Sequence, residues 1–129
     1  MSQVLERTND QTTSVDVILR ALLTYDEVIG AVAVNNEGIV LGSVGMIDSD
    51  VDIISLLGAS MMGVAERTTR RLGAGGALGV SIRTNAGMIT ICNGGDFVLM
   101  VFTSVCDSSA LYAALEGPVA DVGAIIHLT

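Results

Sequence analysis

The stretch that decides the fold is Asp48–Gly73, DSDVDIISLLGASMMGVAERTTRRLG. Asp48, Asp50 and Asp52 stand at its start and Arg67, Arg70 and Arg71 near its end, the charge order that complements a helix dipole at both termini. The pattern predicts one helix over roughly Ser49 to Leu72, about 36 Å long, stopped by Gly73, Gly75, Gly76 and Gly79. Its apolar residues Ile53, Ile54, Leu56, Leu57, Met61, Met62, Val64 and Ala65 wrap much of the circumference, more than one sheet face can bury. Gly58, Ala59, Ser60 and Gly63 are small enough for a second helix to come close. A wholly internal helix would also explain that width. The chain has few elements left to cover one, so an oligomer interface is the favoured reading.

Working outward, Val15, Ile18, Leu19 and Leu22 recur on one helix face within Ser14 to Leu23, and Thr13 with Asp16 resembles a capping pair. VIGAVAV (Val28 to Val34) and IVLGSV (Ile39 to Val44) read as a hairpin turning through Asn35, Asn36, Glu37 and Gly38. Beyond the glycines come Leu78 to Thr84, Met88 to Cys92 and Phe97 to Thr103, separated by Asn85-Ala86-Gly87 and by Asn93-Gly94-Gly95-Asp96. The chain closes on a helical pattern through Leu111, Leu115, Val119, Val122 and Ile126. Pro118 interrupts it and predicts a kink or two short helices in register.

Val28 to Val34 and Phe97 to Thr103 are apolar at both alternations, as strands covered on both faces are. They belong at the centre. Val80 and Ile82 alternate with Ser81 and Arg83, which suits an outer strand. The predicted fold is α/β (α+β): a three-layer α/β/α sandwich on a five-stranded antiparallel sheet of order 2-1-5-4-3.

The 129 residues suit one domain, taken as residues 14–129 behind a polar tail of residues 1–13. Half the residues are apolar, which excludes disorder, and no apolar run approaches the ~18 residues of a membrane span. The polar start lacks a secretory pattern, which places the protein in the cytoplasm. Six arginines, no lysine and fourteen carboxylates give a net charge of −8, which repels nucleic acid and anionic lipid. Cys92 and Cys106 form no CxxC pair and read as inert buried thiols.

The motifs that suggest chemistry fail in their context. GAGGALG (Gly73 to Gly79) follows a helix and opens a strand, the reverse of a phosphate-binding loop, and no Lys-Ser or Lys-Thr accompanies it. DSDVD (Asp48 to Asp52) begins like a calcium loop. Ile53 stands where that loop needs glycine and Ala59 where it needs glutamate. The single histidine, His127, lacks a nucleophile motif to serve. No catalytic residue, cofactor or metal site is therefore assigned, and the chain is expected not to be an enzyme.

The element order, VIGAVAVNNEGIVLG, the long helix and NGGDFVLMVFTS together resemble the Roadblock/dynein light chain family, a profilin-like fold, and most closely its prokaryotic branch of MglB-type regulators of Ras-like GTPases. The resemblance covers about Ser14 to Leu128. It implies a homodimer in which the long helices pack together and the third strands pair across the two-fold axis, joining two five-stranded sheets into one. The interface would then use Ile54, Leu57, Gly58, Met61, Ala65, Val80 and Ile82. The resemblance also implies a non-catalytic regulator or scaffold that binds an MglA-type small GTPase and modulates its cycle. Once sheet and dimer faces are assigned, Asp52, Ser55, Ala59, Met62, Gly63, Glu66, Arg67 and Arg70 remain as the expected partner stripe. The alternatives are an adaptor without a GTPase and a small-ligand sensor.

Overall fold

A computed structural model describes residues 14–46, 48–104 and 107–127. The tail of residues 1–13, Thr13 of the expected cap, Cys106 and Leu128 lie outside the described residues. The elements are α1 (helical residues 14–22), β1 (Val28–Asn35), β2 (Val40–Val44), α2 (Asp48–Arg71), β3 (Gly79–Arg83), β4 (Met88–Asn93), β5 (Phe97–Thr103) and α3 (Ser108–Ile126). The strands form one antiparallel sheet of order β2-β1-β5-β4-β3, as the hydrophobic alternation predicts.

Alternation assigns each strand residue to a layer. Ala31, Ala33, Phe97, Leu99 and Val101 pack with Val15, Leu19 and Leu22 of α1 and with Leu115 and Val122 of α3. Val32, Val34, Ile91, Val98 and Met100 turn the other way, onto Val51 and Met62 of α2. The core therefore lies in two sheets of side chains on either side of β1 and β5, with α1 and α3 on one face and α2 on the other.

The end of α2 is set by Gly73, which adopts φ 71°. In that left-handed conformation the Gly73 N–H donates to Arg70 C=O and the Ala74 N–H to Thr69 C=O, the paired bonds of a Schellman stop. The first hairpin closes on Asn35, whose side-chain oxygen accepts from the N–H groups of Glu37 and Ile39. α3 is capped by Asp107, which accepts from Ser109 and Ala110.

Pro118 does not divide α3, which is one continuous helix. The carbonyl that loses its partner belongs to Ala114, an exposed residue that water can serve. The window Ser109–Ile126 is also long and apolar enough, by length and composition alone, to cross a membrane. It carries Glu116 and Asp121, and Leu115 and Val122 pack on the sheet.

Candidate protein-protein interface

Val51, Ser55, Gly58 and Met62 stand at intervals of four, three and four residues, which keeps them on one stripe of α2. All four are buried against the sheet. This corrects three expectations. Gly58 does not face a second helix: it lies so close to β5 that a Cβ there would run into the Met100 sulfur. Ser55 and Met62 are not on a partner-facing stripe. The Ser55 hydroxyl is wholly buried and, among the described residues, makes no hydrogen bond.

The opposite side of α2 is apolar and open. Ile53 is 63% exposed, Leu56 and Leu57 55%, and Val64 53%. Beside the helix the sheet continues as a half-buried apolar shelf. Val80 of β3, Ile89 of β4 and Phe102 of β5 line it together with Ile54, Met61 and Ala65 of α2, and Ile82 lies cross-strand from Ile89. Leu57 thus adjoins Ile54, Met61 and Ala65 at helical spacing, and the remaining residues of the expected dimer set surround one uncovered apolar surface. Ile53, Leu56 and Val64 counted in the apolar excess that argued for an interface but not in the named dimer set, and Ile89 and Phe102 were not singled out at all. Their apolarity was legible, but which of them stays open depends on where α2 crosses the sheet.

The edge next to this shelf is bare. The Asn93 N–H donates to Leu78 C=O at 2.9 Å and the Thr84 N–H to Gly87 C=O at 2.8 Å. Antiparallel ladders alternate bonded and non-bonded positions. Gly79, Ser81 and Arg83 therefore turn their N–H and C=O groups away from β4, and no described strand lies beyond β3.

The remaining stripe residues occupy the other flank of α2. Asp52, Arg67 and Arg70 are exposed, and Ala59, Gly63 and Glu66 are half-buried. Glu66 is committed within the chain: one carboxylate oxygen pairs with Arg70 Nε at 3.1 Å and the other accepts from the Asn93 amide, which also donates to Ala77 C=O at 2.8 Å. Glu66 thereby fastens the glycine loop under α2. Arg67 has no ion-pair partner among the described residues.

Two further titratable groups are structural. His127 Nε2 lies 2.6 Å from Asp96 Oδ2, tying the end of α3 to the β4–β5 turn. Burial pushes the Cys92 thiol up to about 11, so it stays neutral and unreactive near neutral pH. Among the described residues no three of His, Cys, Asp or Glu gather to hold a metal ion.

A family model described as the Roadblock/LC7 domain matches residues 14–104. Among solved structures, the fold is similar to a Roadblock/LC7 domain from Streptomyces avermitilis, with 17% identity over 87% of this chain and 97% of that one and a TM-score of 0.80. It is similar to Myxococcus xanthus MglB, with 14% identity over 91% and 90% of the two chains and a TM-score of 0.80. It also resembles the gliding protein MglB of Thermus thermophilus, with 14% identity over 96% and 91% and a TM-score of 0.69. At these identities the likeness is one of fold. No curated protein matches the sequence.

Proposed function

The chain belongs to the Roadblock/LC7 domain family, and from that premise we propose that it is a non-catalytic, homodimeric regulator or scaffold that binds a Ras-like, MglA-type small GTPase in the cytoplasm. The observation that carries this reading is the uncovered apolar surface of α2 beside an unpaired β3. Either feature alone is tolerable in a monomer. Side by side they are the two halves of a self-complementary contact, in which each α2 covers the other copy's shelf while the β3 strands pair.

In such a dimer the two flanks bearing Asp52, Ala59, Gly63 and Arg67 lie on either side of the axis as a platform. The GTPase brings the nucleotide and the phosphoryl chemistry. The platform acts by contacting its switch loops preferentially in one nucleotide state. Of the two arginines on this flank, Arg67 is the one free to meet a partner, because Arg70 is held by Glu66. An exposed charge of this kind sets specificity and encounter more than affinity.

The test is titration of the GTPase, loaded with GDP or with a non-hydrolysable GTP analogue, against wild type, Arg67→Glu and Gly63→Glu. A Cβ at Gly63 would meet only the Arg67 guanidinium, at 4.0 Å, so both variants should fold and dimerise. The expected result is a preference of roughly tenfold or more for one nucleotide state, weakened in both variants. Equal binding of both states by all three proteins would contradict the reading.

A further inference from the structure

The two ends of β3 are chemically complementary. Gly79 lies cross-strand from Cys92 on the α3 side of the sheet. The Tyr112 ring lies directly over it, so that a Cβ on Gly79 would come 2.7 Å from Tyr112 Cε1. The Tyr112 hydroxyl accepts from Ser81 Oγ at 3.1 Å, which holds the ring at the edge. Next to the ring opens a cavity of about 660 Å³ with Leu115 and Val119 in its walls, and among the described residues Glu116 is the one charged residue lining it. Arg83, at the other end of the strand, is exposed. Among the described residues neither Arg83 nor Glu116 has an ion-pair partner.

Two copies of an edge strand can pair about a two-fold axis normal to the sheet only if outward-facing residues meet outward-facing residues. The axis must therefore pass through a residue and not between two. Centred on Ser81, the register pairs the whole of Gly79–Arg83, with Ser81 against Ser81 and Gly79 against Arg83 in both directions. Centred on Val80 it would set Arg83 against Ala77, and centred on Ile82 it would set Gly79 against Asn85, each outside the strand. Directly opposed residues project to the same face with side chains about 5 Å apart. In the Ser81 register, Arg83 of the second copy projects beside Gly79, which has no side chain of its own, toward the Tyr112 ring and the Glu116 carboxylate.

We infer that the β3 strands pair in the register centred on Ser81, and that Arg83 of each copy closes the other copy's cavity by stacking on Tyr112 and pairing with Glu116. The inference rests on the homodimer proposed above and adds its register and its charged contact. A planar guanidinium suits a site with an aromatic face and a carboxylate in reach.

Mild oxidation of single-cysteine insertions reads the register. Ser81→Cys should cross-link to itself across the axis, because directly opposed Cα atoms fall within disulfide range. Val80→Cys and Ile82→Cys should not, because each self-pairs only when the axis passes through it. Sedimentation then reads the contact. Arg83→Glu and Glu116→Arg should each raise the dimer Kd by roughly tenfold or more, and the double variant should restore it to within roughly threefold of wild type. Circular dichroism confirms that these exposed positions leave the fold intact. Cross-linking through Val80→Cys or Ile82→Cys, or charge variants that dimerise like wild type, would overturn the register and the contact while leaving the dimer. Wild type sedimenting at 13.3 kDa at every concentration would overturn the dimer itself.

Discussion

At the β2 edge of the sheet the Ser43 N–H is taken by the Asp16 carboxylate of α1 at 3.2 Å, whereas at the β3 edge Gly79, Ser81 and Arg83 hold their backbone groups outward with no described strand beyond them. The first edge carries an inward-reaching acid and a packed helix, both of which discourage a further strand. The second carries neither proline nor lysine, and its neighbours on the α2 face are the half-buried Val80, Ile82, Ile89 and Phe102. One sheet is thus closed on one side and extensible on the other. The asymmetry directs assembly toward a closed dimer, since a strand pairing that uses one edge only cannot propagate into a filament.

The comparison breaks most completely at Ser81. Its N–H points away from β4, so Ser81→Pro removes a donor that the chain's own sheet does not use. The expected result is a folded monomer with a dimer Kd raised roughly a hundredfold, the loss of about 2.7 kcal/mol of association free energy, read by light scattering. Loss of the fold instead would mean that β3 is held differently. Leu57→Asp should also leave the chain folded, because the side chain is 55% exposed. It places a carboxylate in the contact between helices and should weaken the dimer roughly tenfold or more. A dimer indifferent to it would show that the open face of α2 lies outside the interface.

Asp16→Ala tests the closed edge. It strands a partly buried N–H that bonded to a charged acceptor, at a cost of about 1.5–3 kcal/mol. Thermal unfolding should shift down by several degrees while the dimer Kd stays put. A change in dimerisation without loss of stability would invert the roles assigned to the two edges. The smallest effect belongs to Ser55→Ala, which deletes a buried hydroxyl without a partner and should be neutral or stabilising by up to about 1 kcal/mol. It should leave GTPase binding unchanged. A clear loss of binding would restore Ser55 to the partner stripe.

The sheet order was legible because each strand announces its own surroundings: β1 and β5 are apolar at both alternations, and β3 is not. The stop of α2 was legible because Gly73 can adopt a conformation costly for other residues. The faces of α2 were harder. Met61 and Met62 are equally apolar and differ by about 100° around the helix, so only packing tells the half-buried one from the buried one. Gly58 and Ser55 look like surface or interface residues because they are small or polar. Both are in the core, and at 58 Met100 of β5 fills the space that a larger residue would need. Asp16 read as half of a helix cap with Thr13, which lies outside the described residues; its carboxylate also serves Ser43, a contact across 27 positions that local pattern cannot anticipate. Pro118 read as a kink or a division into two short helices because intrinsic propensity disfavours it within a helix. Packing of Leu115 and Val122 on the sheet carries α3 through.

Amide hydrogen exchange followed residue by residue at protein concentrations above and below the dimer Kd tests the central claim most directly. The outward amides of Gly79, Ser81 and Arg83 should be protected at high concentration and lose that protection on dilution. The Ser43 amide, bonded within its own chain to Asp16, should exchange at the same rate in both samples. Unprotected exchange of the three β3 amides at every concentration, with Ser43 no slower than they are, would contradict the account of one closed and one pairing edge.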